Sequence, residues 1–179
     1  AGGPGIRKSR LIAARQERLQ IELHTSLRYF CSPQRVDSAF YPIVTQLERA
    51  AGFLREHTPE AQLDKLAALL APASPPQEDQ ALLAELLSIP FKGRFLPFQL
   101  TPRGRKEKTF EALLRQLHGL AQQRPVLMLF EDVHWIDPSS RELLDLVVER
   151  VQHLPVLLVI TFRPEFERIE VMERQIDRS

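Results

Sequence analysis

Two runs of apolar residues near the C-terminal end of the chain stand out from an otherwise mixed pattern. Val126 to Phe130 is uninterrupted and is followed by two acids, and Val156 to Thr161 is a second run of strand length. Such runs favour strands that are buried on both faces. Between them, Asp137 and Pro138 predict the cap and first turn of a helix that continues to about Val151. A strand, a helix and a strand in this order predict a parallel sheet with right-handed crossovers, and therefore a three-layer α/β domain.

The pattern elsewhere is mostly helical. A short strand is predicted over His24 to Phe30, where β-branched and aromatic residues precede a proline. The stretch 88–102, rich in proline and phenylalanine, predicts a loop. We expect the helix after this loop to begin no earlier than Arg105, because basic side chains at a helix start oppose the helix dipole. Apolar residues at helical spacing predict helices over about 8–20, 40–51, 58–71, 78–87 and 105–122, and those between 40 and 122 form a helical insertion.

Composition and charge limit the classes of function. The chain has 179 residues, is 44% hydrophobic and carries a net charge of +1, which fits one domain and gives no field that attracts nucleic acid or an anionic membrane. No apolar run reaches the length of about 18 residues that indicates a membrane span. The single cysteine, Cys31, fits a small buried side chain in a reducing compartment, so we expect a cytoplasmic protein that binds neither nucleic acid nor membrane directly. Because the chain opens on Ala1 and a glycine-rich stretch, we expect an internal piece of a longer protein.

The glycine-rich start approaches the pattern of a phosphate-binding loop, GxxxxGK followed by Ser or Thr. In such loops the glycines let backbone N–H groups face the phosphates, the lysine reaches the β- and γ-phosphates, and the hydroxyl binds Mg²⁺. Lys8 and Ser9 stand at the required positions, but Arg7 replaces the second glycine. A Gly- and Pro-rich stretch before an ordinary helix explains this segment equally well. The candidate phosphate-binding residues are Gly2, Gly3, Pro4, Gly5, Ile6, Arg7, Lys8, Ser9 and Arg10.

The acids after the first apolar run strengthen the phosphate-loop interpretation. A phosphate-loop fold requires an apolar strand downstream that ends in a carboxylate for Mg²⁺, and a neighbouring carboxylate can orient or deprotonate the attacking water. We assign the metal role to Glu131 together with Ser9, and the polarising role to Asp132, although the two acids could exchange roles. The simpler alternative is a pair of surface charges beside a helix cap.

Polar residues that follow these strands are further candidates for contacts with the γ-phosphate. Thr161 and Arg163 follow the second run, where a side chain can sense the γ-phosphate, and an arginine suits charge that develops on phosphoryl oxygens. A solvated arginine before a proline is an equally open interpretation. His134 is a candidate γ-phosphate contact, whereas Trp135 is expected to serve packing.

Longer segments resemble the ATPase module attached to bacterial class III nucleotide cyclases and related large regulators, a branch of the signal-transduction ATPases of the AAA/STAND type. The resemblance implies a P-loop core with strand order 5-1-4-3-2, in which the strand before the phosphate loop lies beside Val156–Thr161. That first strand is expected to be missing from this fragment, and the sequence departs from the family at Gly3 and Arg7. The segments that carry the resemblance, over almost the whole chain, are PGIRKSRL, LRYFCSP, DSAFYPIVTQLERAAGF, TPEAQLDKLAALL, VLMLFEDVHWIDPSS and VLLVITFRPEF.

The resemblance also implies a function. Residues 1–179 would form one ATPase domain that binds ATP and Mg²⁺, hydrolyses ATP slowly, and couples nucleotide state to attached cyclase or helical-repeat domains of the same polypeptide. The rival hypothesis is a scaffold that kept the fold for protein contacts after losing the phosphate loop, and Arg7 favours this rival.

Overall fold

The computed structural model describes residues 23–96 and 99–163. The predicted helix over 8–20 and the phosphate-loop candidates lie outside these residues. In the described parts of the chain, no helix combines the length and the apolar composition that crossing a membrane requires. The elements in chain order are β1 (Thr25–Phe30), α1 (Tyr41–Ala51), α2 (Pro59–Leu70), α3 (Gln77–Leu86), α4 (Pro102–Gln123), β2 (Val126–Glu131), α5 (Pro138–Val151) and β3 (Val156–Ile160).

The three strands form one parallel sheet in the order β1-β2-β3. Thr25, Val126 and Val156 are in register at its amino-terminal edge, so residues at equivalent positions share a face. On one face, the ring of Tyr29 stacks on that of Phe130 with a centroid distance of 4.3 Å. The α/β class and the parallel sheet predicted from the apolar runs are confirmed.

The two faces of the sheet differ in burial. Tyr29, Met128 and Phe130 are buried on the face that α1, α4 and α5 cover. On the opposite face, Leu157 and Val159 of β3 remain 64% and 37% exposed to solvent. Right-handed crossovers that advance from β1 to β2 to β3 place their helices on the same face. Residues 23–96 and 99–163 therefore do not show the burial on both faces that was expected for β3.

Helix starts follow local capping. The Thr58 hydroxyl accepts a hydrogen bond from Ala61 N at the start of α2, and the Thr101 hydroxyl accepts one from Gly104 N at the start of α4. The cap at Thr101 starts α4 at Pro102, so the expectation of a start no earlier than Arg105 is wrong.

Ion pairs explain why the basic residues do not delay α4. Arg105 pairs with Glu85 of α3 at 2.5 Å, and Lys106 pairs with Glu142 of α5 at 2.8 Å. Acids from neighbouring helices thus neutralise charges that would otherwise oppose the dipole of α4.

Candidate functional site

The acids that end β2 lie at the carboxyl edge of the sheet. Glu131 is the last residue of β2 and Asp132 follows it directly. Because the strands are parallel, their carboxyl ends meet at this edge, and Thr161 follows β3 there. Ligands of open α/β sheets bind outside the carboxyl ends of the strands. The structure therefore places Glu131, Asp132 and Thr161 where a ligand site is expected.

Asp132 adopts a left-handed backbone conformation, with φ of 57°. Its N–H donates to the Thr161 hydroxyl at 3.2 Å, and the next N–H, of Val133, donates to the Thr161 carbonyl at 3.0 Å. For a residue other than glycine, such a conformation costs roughly 1 to 3 kcal/mol, and it persists only where the surrounding structure imposes it. Thr161 thus fixes the loop that carries Asp132.

Glu131 has a partner that the sequence did not indicate. The Arg28 guanidinium, on the neighbouring strand β1, contacts Glu131 Oε2 at 3.0 Å. The strand register pairs Phe30 with Glu131, so Arg28, two residues earlier, projects from the same face. That relation appears only once the pairing of β1 with β2 is known.

Asp137 links two helices beneath the edge. Its carboxyl oxygen Oδ2 accepts hydrogen bonds from Ser140 N at 3.0 Å and from Phe40 N at 2.8 Å. The first bond is the predicted cap of α5, and the second reaches the residue before α1, itself left-handed with φ of 61°. Asp137 is only 1% exposed, so it joins the loop after β2 to the start of the helical insertion.

Cys31 lies directly after β1 and is buried, as predicted. Burial raises the pKa of its thiol to about 12, and the negative charges of Asp137 and Asp132 act in the same direction. The thiol therefore stays protonated at neutral pH, and nucleophilic or metal chemistry at Cys31 is disfavoured.

Some of the remaining candidate site residues lie within the described part of the chain and others lie outside it. Residues 2–10 lie outside the described residues. Arg163 is exposed two residues beyond Thr161. The rings of His134 and Trp135 lie 5.1 Å apart, and Trp135 packs against the core as expected.

The acids at the edge fit a magnesium ion in the chemistry of their donor atoms. Mg²⁺ prefers carboxylate oxygens, and proteins usually hold it through one or two carboxylates together with water and substrate phosphates. Glu131 and Asp132 supply two such groups. Over residues 23–96 and 99–163 there is no cluster of three or more His, Cys, Asp or Glu side chains that could hold a metal by itself. A magnesium ion here would therefore depend on phosphate oxygens as well.

Comparisons with known proteins agree with this arrangement. The profile of the AAA ATPase domain matches residues 1–160. An uncharacterized protein of Rhizobium meliloti strain 1021 is 32% identical over 168 residues, which are 92% of this chain and 16% of that protein. The chain thus spans about a sixth of the length of this relative. No solved structure matches the chain significantly. The chain belongs to the AAA ATPase domain family, which implies a nucleotide-binding ATPase of the P-loop type.

Proposed function

We propose that this chain is a regulatory module that binds ATP, hydrolyses it slowly, and couples its nucleotide state to an attached signalling output such as a nucleotide cyclase. The observation that carries the proposal is the position of Glu131 and Asp132 at the carboxyl edge of the parallel sheet, where the Thr161 hydroxyl accepts a hydrogen bond from the Asp132 N–H. Ligands of open α/β sheets bind at this edge. Membership of the AAA ATPase domain family supports a nucleotide as the ligand of this site.

The proposed roles follow from position and charge. Asp132 orients or deprotonates the attacking water. Glu131 and Ser9 would hold Mg²⁺, and Lys8 would contact the β- and γ-phosphates. When bound, the magnesium ion would supply positive charge to the transferred phosphoryl oxygens. Arg163 stabilises charge that develops on the γ-phosphate.

Coupling to an output is supported by the hydrogen bonds of the loop that joins β2 to α5. Asp132 and Asp137 belong to one short connection between β2 and α5. Thr161 ties one end of this connection to β3, whereas Asp137 ties the other end to the N–H of Phe40, directly before the helical insertion. A change in the loop on hydrolysis would therefore reach α1. The much greater length of the relative supports domains beyond this one.

The proposal is tested by removing each acid from the full-length protein. Asp132→Asn and Glu131→Gln should each lower the turnover of ATP at least tenfold, while the Kd for ATP changes less than about threefold, because the acids act mainly as charge develops in the transition state. Glu149→Gln, which neutralises an exposed acid at the end of α5, is the matched control and should leave both quantities unchanged. Full turnover in both edge variants would remove these acids from the mechanism.

A nucleotide-free scaffold is the second candidate, and a specific contact favours it. The Arg28 guanidinium already neutralises Glu131, as is expected of an acid that no longer binds a cation. Arg7 in the phosphate loop points the same way. Titration of the full-length protein with ATP and Mg²⁺ separates the two, because saturable binding is required by the first candidate and is unnecessary to the second.

A further inference from the structure

The Arg28 side chain lies beside the carboxylate assigned to Mg²⁺, on the face of the sheet that α1, α4 and α5 leave uncovered. Tyr29 and Phe130 point into the core, so their neighbours Arg28, Phe30 and Glu131 project from the opposite face. Arg28 Nη2 donates to Glu131 Oε2 at 3.0 Å. A guanidinium therefore occupies one of the two oxygens through which Glu131 would coordinate a metal ion.

Contacts around Arg28 hold it in this position. Its guanidinium carbon lies 5.2 Å from the centroid of the Phe30 ring, and that of Arg49, from α1, lies 4.8 Å from the same centroid. Arg49 Nη2 also donates a hydrogen bond to the backbone carbonyl of Arg28. Contacts between a guanidinium and an aromatic ring are favourable even at exposed sites. The neighbours of Arg28 on β1 and α1 thus favour the conformation that reaches Glu131.

The two acids at the carboxyl edge differ in their partners. Over residues 23–96 and 99–163, the carboxylate of Asp132 forms no ion pair, whereas that of Glu131 pairs with Arg28. The side chain of Glu131 is 29% exposed and that of Arg28 is 55% exposed. Because Arg28 is the more exposed partner, its guanidinium can turn into water while Glu131 stays at the end of β2. The pair can therefore open without a change in the strands.

We propose that Arg28 is a latch that competes with Mg²⁺ for the carboxylate of Glu131. The inference rests on the proposed function, because the competition requires Glu131 to be a metal ligand. Arg28 neutralises Glu131 in the absence of a metal and gives way when Mg²⁺ enters with a nucleotide, since the two cations repel each other. Exposed ion pairs shift an equilibrium by at most about fivefold. The latch therefore raises the Mg²⁺ concentration that the site requires, without closing the site.

The test measures metal binding rather than turnover. Mn²⁺ suits the same oxygen ligands as Mg²⁺ and gives a paramagnetic resonance signal when it is free, so it is titrated into the full-length protein with a non-hydrolysable ATP analogue. Arg28→Met, which removes the charge and keeps a long side chain, should lower the Kd for Mn²⁺ about threefold to fivefold. Arg28→Lys keeps the charge and should restore most of the original Kd.

Arg35→Met is the matched control. Arg35 is an exposed arginine that follows β1 and lies over the ring of Tyr41, and it forms no ion pair in the part of the chain that the structure describes. The same loss of charge at this position should change the Kd for Mn²⁺ by less than about 1.5-fold. A gain equal to that of Arg28→Met would overturn the latch, because net charge alone would then explain the effect.

A double variant separates the latch from a direct effect of Arg28 on the metal. In a Glu131→Gln background, Arg28→Met should change the Kd for Mn²⁺ by less than about 1.5-fold, because no carboxylate remains for Arg28 to hold. An undiminished gain in this background would overturn the latch, as would an unchanged Kd in Arg28→Met alone, and both results would leave the proposed function standing. If neither the unaltered protein nor Arg28→Met binds Mn²⁺ with the analogue, the proposed function fails together with the latch.

Discussion

At the residue scale, Asp132 combines a carboxylate at the sheet edge with a backbone conformation that suits glycine. Relief of the left-handed strain is worth roughly 1 to 3 kcal/mol, and the extra freedom of glycine in the unfolded chain costs about 0.5 to 1 kcal/mol. Asp132→Gly should therefore raise the free energy of unfolding by up to about 2.5 kcal/mol while it lowers ATP turnover. Urea unfolding and an ATPase assay on the same sample measure both effects.

The control for this prediction is Asp132→Asn, which removes the charge and keeps the shape. It should lose turnover with little change in stability, because asparagine tolerates the left-handed region about as well as aspartate does. A less stable Asp132→Gly variant would show that the Asp132 side chain, rather than Thr161, holds the loop.

The carboxylate of Asp137 offers a second prediction at this scale. Asp137→Ala leaves two buried N–H groups, of Phe40 and Ser140, without their acceptor. Lost capping costs about 1 kcal/mol and a buried unsatisfied donor about 1 to 3 kcal/mol, so we expect a loss of about 2 to 4 kcal/mol in the free energy of unfolding. Chemical denaturation measures this loss.

Thr58→Ala is the matched control for Asp137→Ala. Thr58 also caps a helix that begins with proline, but its single bond to Ala61 N is exposed to water. We expect it to cost about 1 kcal/mol or less. Equal losses in the two variants would mean that Asp137 acts as a cap alone and that its bond to Phe40 N contributes nothing.

At the scale of elements, local signals predict most of the described fold and tertiary contacts account for the errors. The helix Pro138–Val151 begins where the sequence predicts because its N-cap, Asp137, and its first-turn proline are local signals. The start of α4 was misplaced because the acids that neutralise its basic residues come from α3 and α5. The Arg28–Glu131 pair joins residues 103 positions apart, so no local pattern could indicate it.

Helix α4 packs closely on the short 3-10 helix Ala71–Ala73 through a glycine. A methyl group built on Gly119 would collide with the Cβ of Ala73 and approach its Cα to 2.7 Å. Gly119→Ala therefore sets a gain of about 1 kcal/mol in helix propensity against overpacking of about 1 to 3 kcal/mol. We expect a net loss of about 1 kcal/mol in stability, measured by thermal or urea unfolding.

The control for Gly119→Ala is Gln122→Ala, on the exposed side of the same helix. It should change the free energy of unfolding by less than about 0.5 kcal/mol. The double variant Gly119→Ala with Ala73→Gly should recover part of the loss, because the colliding Cβ is then absent. A Gly119→Ala variant more stable than the original protein would show that α4 and the 3-10 helix separate freely.

At the scale of the whole molecule, nucleotide binding and folding are linked. A ligand that binds only the folded state adds about 2.7 kcal/mol of stability at a concentration 100 times its Kd. The melting temperature in ATP and Mg²⁺ therefore reports the state of the phosphate loop even when turnover is slow. The melting temperature can therefore test the effect of Arg7 on ATP binding. Arg7 lies outside the described residues, so the prediction for it rests on its residue type.

Arg7 stands where phosphate loops carry the glycine that precedes the lysine. A side chain there resists the backbone angles of the loop, at a cost of roughly 1 to 3 kcal/mol, although its charge could attract a phosphate. We expect strain to prevail, because the long side chain must fold back on its own loop to reach the phosphates. Arg7→Gly should therefore tighten ATP binding about tenfold to hundredfold and raise the melting temperature in ATP and Mg²⁺. Arg7→Ala, which removes the charge but keeps a side chain, is the control for lost charge and should gain less affinity than Arg7→Gly. Equal or weaker ATP affinity in Arg7→Gly would mean that Arg7 binds phosphate or that the site is already lost.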